Sequence, residues 1–321
     1  MITEEDLINS IKSIQDEIDG IGPNICSQFP IQVYMDEVKS RVQFRTHSYF
    51  SFQRRRIFKK IWAQYGFHAL ALYQKLVLAF LIKDSTKSLK PNSLPKGIFI
   101  ELYSWYKRVL DDFNVQSDKY YDFANMDFIY DLGVCCLKSL PVGGAWFIQV
   151  RRLGFRLVLT PNILRVIRIL SYLIYETGGF RNFCVIHTFP RYLPRFNCQQ
   201  MNLAYKHIGE LLGSNSKIKA VYRRSWFLDP NLAAISPNLN YLRDIPLKNG
   251  ATFFKTRLIE EDINLSLKYS PFRRKLYEAG KYFPAAYAYI WPRNEFLSYL
   301  ENQTDLWVAN SRVSQIDQVP C

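Results

Sequence analysis

The chain has four histidines, His47, His68, His187 and His207, and one of them ends an apolar run. Val185-Ile186-His187-Thr188 reads as a strand that finishes on an imidazole. An imidazole titrates near neutral pH, and at the mouth of a strand it can serve as a general base. The plainer alternative is a ring bonded to nearby backbone. Downstream, Arg224-Ser225-Trp226-Phe227-Leu228-Asp229-Pro230 adds a hydroxyl and a carboxylate. Ser225, His187 and Asp229 are the residue types of a catalytic triad, but no Gly-x-Ser-x-Gly elbow surrounds Ser225. An aspartate just before a proline at a helix start is also an ordinary cap, so Asp229 has a structural reading beside the catalytic one.

Cations gather at the same junctions. Arg191 and Arg195 follow the His187 strand, Arg223 and Arg224 precede Ser225, and Arg273 and Arg274 fall in the first turn of a helix opened by Ser270-Pro271. Free N–H groups at a helix start with arginines beside them suit a phosphate. Periodicity alone fits a basic solvent face equally well. Arg224 or Arg273 is the expected holder of an anionic group, with Arg274 and Arg191 in support. No His-Glu-x-x-His or comparable spacing points to a metal. The phosphate-binding signatures Gly-x-Gly-x-x-Gly and Walker A are missing too.

The elements that must position these groups follow from periodicity and caps. Leu7, Ile8, Ile11, Ile14 and Ile18 stripe an acidic amphipathic helix over about 1–21. Phe67 to Ile82 is apolar but short for a span, and reads as a buried helix. Ile98 to Phe113 is another helix, with Leu102, Trp105, Tyr106 and Val109 on one side. Leu132–Leu137 and Ala145–Val150 read as strands around a Pro141-Val142-Gly143-Gly144 turn, and Phe155–Leu159 as a third. Thr160-Pro161 opens a helix that Gly178 closes. Strands are then expected over Phe183–His187, Ile218–Phe227, Gly250–Phe254 and Ala285–Trp291, with a helix capped by Asn197 and one by Ser270 between them. The expected fold class is α+β: a mainly helical region over 1–130 packed on a mixed-sheet domain over 131–321.

Composition bounds the partners. The chain has 321 residues and a formal net charge of +14, which favours an anionic partner or is simply a basic surface. Arg54, Arg55, Arg56, Lys59 and Lys60 cluster beside Phe50, Phe52 and Trp62, a composition that can dock on an anionic membrane and, as the lesser expectation, on nucleic acid. A solvated face paired with the acidic first helix is the alternative. Six cysteines without a Cys-x-x-Cys pair suggest reduced thiols. With an acidic N-terminus and no apolar leader, the expectation is a cytoplasmic protein, peripheral to a membrane if the basic cluster has that partner.

The tail Ser270-Pro271-Phe272-Arg273-Arg274-Lys275-Leu276-Tyr277-Glu278-Ala279-Gly280-Lys281-Tyr282, followed by Ala285-Ala286-Tyr287-Ala288-Tyr289, resembles the end of GNAT-type acyltransferases. The strand, helix, strand, helix, strand order from Ile218 onward suits that fold. The resemblance implies acyl transfer from a thioester, coenzyme A or an acyl carrier protein, with Tyr277 near the thiol end. In place of that family's glycine-rich pyrophosphate loop, Ser225-Trp226-Phe227-Leu228-Asp229-Pro230 follows the Ile218 strand. The whole block from Ser225 to Arg293 is also similar to uncharacterised bacterial proteins. The joint expectation is an enzyme of small-molecule or lipid metabolism with His187 as general base and an apolar acceptor pocket lined by Tyr, Phe and Trp. A non-catalytic protein docking through the basic aromatic cluster is the alternative.

Overall fold

A computed structural model describes residues 3–40, 52–90, 93–122, 125–153, 163–180, 182–189, 191 and 196–313; within these, the side chains of 37–40, 52–56, 163–165 and 304–313 are left aside. The described residues form thirteen α-helices and a six-stranded mixed sheet. The chain divides into two compact units, Met1–Pro141 with Phe189–Arg191, and Val142–Thr188 with Tyr192–Cys321.

The first unit is helical: α1 (Glu4–Ile21), α2 (Ile25–Gln28), α3 (Ile31–Ser40), α4 (Phe52–Ser88), α5 (Lys96–Val115) and α6 (Met126–Cys135). A capping box starts α1, with the Thr3 hydroxyl accepting from the Asp6 N–H and the Asp6 carboxylate accepting from the Thr3 N–H, both at 3.0 Å. Leu7, Ile11, Ile14 and Ile18 are buried as the stripe requires, while Ile8 is exposed. Helix α4 bends at Gly66, where φ is 85° and ψ is 175°. Its stretch Ile57–Ser88 is long and apolar enough to cross a membrane, but its apolar window is 67% buried within the fold, the packing of a core helix. In α5, Leu102, Trp105, Tyr106 and Val109 all face inward.

The expected strand Leu132–Leu137 is instead the end and exit of α6. A six-residue apolar run fits a buried helix as well as a strand. Here Asn125 decides, its side chain accepting from the Asp127 N–H at 2.9 Å to start a helix whose buried residues point all round. The expected turn also shifts. Leu140–Gly143 is strand β1, and the chain reverses at Gly144 and Ala145. The expected third strand Phe155–Leu159 and the cap Thr160-Pro161 lie outside the described residues.

The second unit holds β2 (Trp146–Arg152), α7 (Ile163–Thr177), β3 (Asn182–Thr188), α8 (Cys198–Ser214), β4 (Ile218–Ser225), α9 (Leu232–Ile235), α10 (Tyr241–Lys248), β5 (Thr252–Lys255), α11 (Glu260–Lys268), α12 (Pro271–Glu278), β6 (Tyr287–Pro292) and α13 (Arg293–Val313). Strand order is β1-β2-β3-β4-β6-β5. Strands β3 and β4 run parallel, joined through α8 as a parallel pair demands; β2 with β3, β4 with β6 and β5 with β6 pair antiparallel. Alternation gives the sheet two apolar faces. Phe183, Val185, Ala220, Tyr222, Ala288 and Ile290 pack one face with Ile169 and Leu173 of α7. On the other, Trp291 meets Tyr205 of α8 and Phe296 and Tyr299 of α13 edge to face or tilted.

Candidate functional site

The parallel pair ends on the polar residues that the sequence singled out. Val185 lies opposite Tyr222, so alternation puts His187 and Arg224 on the face of Val185 and Tyr222. Thr188, Arg223 and Ser225 lie on the opposite face. The sheet therefore separates His187 from Ser225, and the triad residue types do not share one side of it.

His187 is half-buried, and its ring stacks on Phe147 of β2 at 5.2 Å between centroids. Phe147 is its direct cross-strand partner. Arg224 is occupied by the chain itself. Its guanidinium donates to both carboxylate oxygens of Asp262, at 3.1 and 2.5 Å, and to the Arg257 carbonyl at 2.7 Å. Ser225 accepts from the Phe227 N–H at 3.2 Å and starts a short 3-10 turn, Trp226–Leu228. Asp229 is buried and accepts from two main-chain donors, Asn231 N–H and Ala285 N–H, each at 3.0 Å. Burial raises its carboxyl above the ordinary aspartate value, and those two hydrogen bonds pull the other way.

Arg273 is also buried. Its Nε donates to the Ser266 carbonyl at 2.7 Å, one Nη donates to the Ser236 hydroxyl at 2.9 Å, and the guanidinium lies 4.8 Å from the Trp226 ring. Burial lowers its proton affinity. The expected cap of α12 is present, Ser270 accepting from the Arg273 N–H at 3.2 Å. Arg274 is exposed and, with Tyr277, lines an open surface hollow of about 420 Å³ whose other walls are Asn264, Leu267, Lys268 and Glu278. The Tyr277 ring meets Phe283 edge-on at 5.8 Å.

Arg191 belongs to the helical unit, where its guanidinium is held by Asp112. Of the basic cluster, Lys59 and Lys60 are exposed on α4, as is Trp62 at 52%. The side chains of Arg54, Arg55 and Arg56 lie outside the described residues. His207 is buried with Nδ1 2.8 Å from the Val142 carbonyl, and His68 is exposed with Nδ1 2.8 Å from Asp118. Among the described residues no group of three or more His, Cys, Asp or Glu could hold a metal ion.

The structure also distinguishes a residue that the sequence left in the shadow of Arg224. Arg223 is 1% exposed, and among the described residues no carboxylate pairs with it. The signal that could have found it is alternation: Val221 and Arg223 share a face, so an apolar strand aims one arginine into the core. No family model, curated protein or solved structure matches the chain.

Proposed function

We propose that the sheet-bearing unit is a group-transfer enzyme, an acyltransferase that draws its acyl group from a thioester of coenzyme A or an acyl carrier protein. The observation that carries this reading is the hollow on α11 and α12. Tyr277, which the resemblance to GNAT-type acyltransferases puts near the donor thiol, lines it together with the cations Lys268 and Arg274. The element order gives further support: β4, then α9 and α10, β5, α11 and α12, and β6 follow one another as that resemblance expects. His187, half-buried at the end of the parallel pair, is the proposed base that takes the acceptor's proton. Arg224 and Arg273 are committed to protein acceptors, so the cations proposed for the donor's phosphates are Lys268 and Arg274, which line the hollow. A cytoplasmic location suits such a donor.

Calorimetric titration of the full chain with coenzyme A and acetyl-coenzyme A tests the donor. Binding is expected, weakened about thirtyfold by Lys268→Ala with Arg274→Ala, since two lost charge-assisted contacts at roughly 1 kcal/mol each amount to about 2 kcal/mol. His187→Phe keeps the ring stack on Phe147 and should retain donor binding while losing acyl transfer. No binding of coenzyme A or acetyl-coenzyme A at millimolar concentration, or of an acyl carrier protein, ends the reading.

A second reading rests on Trp62. An exposed tryptophan beside exposed Lys59 and Lys60 suits docking on an anionic membrane. Co-sedimentation with phosphatidylserine vesicles should then fall steeply with salt and with Trp62→Ala. Equal binding to neutral vesicles would remove it, and retention on DNA instead would favour nucleic acid.

A further inference from the structure

Strand β4 carries a positive charge into the sheet unit's interior. Arg223 stands directly opposite Tyr289 of β6, and one of its terminal nitrogens donates to the Thr188 hydroxyl of β3 at 3.1 Å. The other contacts the Met201 sulfur at 3.7 Å, and the guanidinium lies 5.9 Å from the Phe227 ring. A guanidinium has five N–H donors and no acceptor. A hydroxyl and a thioether are weak partners for it. Stranding a charge in a protein interior without a counter-ion is strongly unfavourable.

The groups around it make the imbalance larger. The hydroxyls of Tyr205, Tyr289 and Tyr241 are buried; those of Tyr205 and Tyr289 lie near each other, Tyr289 also beside the Arg223 guanidinium, and among the described residues none of the three has an acceptor in good hydrogen-bond geometry. Tyr205 lies one helical turn after Met201 on α8, and Tyr289 is the cross-strand neighbour. Burial pushes the Tyr289 phenol up to about 12, with the Arg223 charge acting against it, so at neutral pH Tyr289 is a neutral donor and no counter-ion. Among the described residues the cluster therefore holds a cation and several hydroxyl donors without an anion to accept from them. Thr188, Phe227 and Tyr241, at the edge of the cluster, are half-buried.

We propose that Arg223 anchors an oxyanion site, in which one carboxylate or phosphate group of a small ligand accepts from the guanidinium and from the hydroxyls of Thr188, Tyr205 and Tyr289. The site rests on the surroundings of Arg223 and stands independently of the acyl-transfer reading.

The test compares the thermal midpoint and calorimetric titration of the full chain in sodium acetate, sodium phosphate and sodium chloride at matched ionic strength. Acetate or phosphate should raise the midpoint by several degrees over chloride and bind at one site per chain, as a ligand specific to the folded state must. A response to acetate alone assigns a carboxylate ligand, and one to phosphate alone a phosphoryl group. Arg223→Met should lose the response. Should that variant fail to fold, Thr188→Val with Tyr289→Phe keeps the guanidinium and should weaken the anion at least tenfold. Equal midpoints in all three salts, or an anion response unchanged in these variants, overturns the site. His187→Phe should retain the response, so failure of catalysis and failure of this site are read separately.

Discussion

Arg191 grips Asp112 with both terminal nitrogens, at 2.7 and 2.8 Å, across 79 positions of sequence. The pair extends into a network inside the helical unit. Arg108 donates to Asp112 at 2.7 Å and to Asp131, whose carboxylate also accepts from Trp105 Nε1 at 2.9 Å and from the Tyr120 hydroxyl at 2.5 Å. Two guanidiniums and two carboxylates balance, in contrast to the unbalanced Arg223. Removing one member strands a charge. Arg191→Ala should cost about 3 kcal/mol, the low end for breaking a buried pair because Arg191 is partly exposed. Urea unfolding measures it, and a loss below about 1 kcal/mol would place the pair with surface salt bridges.

The same network sets an acid limit. Burial alone would raise the Asp112 carboxyl, but hydrogen bonds from Arg191 and Gln116 and the two guanidinium charges outweigh it and hold it below the ordinary range. A carboxylate with a depressed folded value contributes stability that is present above its unfolded value, about 3.9, and lost as pH falls through the folded one. The helical unit should thus weaken below about pH 4. Asp112→Asn should flatten that part of the pH–stability curve while lowering stability at pH 7.

Asp229 has the opposite sign. Its raised folded value means stability that is fully present below the unfolded value and lost as pH rises through the folded one. The carboxylate is retained because it satisfies the Asn231 and Ala285 N–H groups. Asp229→Ala leaves both without that acceptor and should cost about 2 kcal/mol or more in urea unfolding. A stable variant with normal unfolding and no turnover would instead make Asp229 catalytic.

How much of this was legible from sequence depends on which force decides. The stripe of α1, the inward side of α5 and the Ser270 cap were readable because periodicity and local hydrogen bonding act over a few residues. The run Leu132–Leu137 was not, because strand and buried helix make the same demand on six apolar positions. The fates of Arg191, Arg224 and Arg273 were hidden for another reason. Their acceptors Asp112, Asp262 and Ser236 lie 79, 38 and 37 residues away, and nothing local announces them. Arg223 was half-legible, since alternation aims it inward but cannot say that its surroundings lack a carboxylate.

Thiol reactivity should follow burial. Cys135 and Cys184 are buried, and desolvation raises both thiols above their usual value. Cys26, Cys136 and Cys198 are only partly buried. Native iodoacetamide labelling followed by mass spectrometry should leave Cys135 and Cys184 unmodified until denaturant is added. Early modification of either would show that its surroundings open without global unfolding.

Gly66 offers a test of backbone strain alone. Its φ of 85° and ψ of 175° lie in a region that is essentially closed to residues with a Cβ, and a Cβ built there meets nothing within 4 Å. The steric cost of contacts is therefore zero, and what remains is conformational. Gly66→Ala should destabilise by about 1–3 kcal/mol, against the gain of up to about 1 kcal/mol that the same change gives in an ordinary helix. Thermal unfolding decides between them. A more stable variant would mean that α4 runs straight through residue 66, and the bend would lose its physical basis.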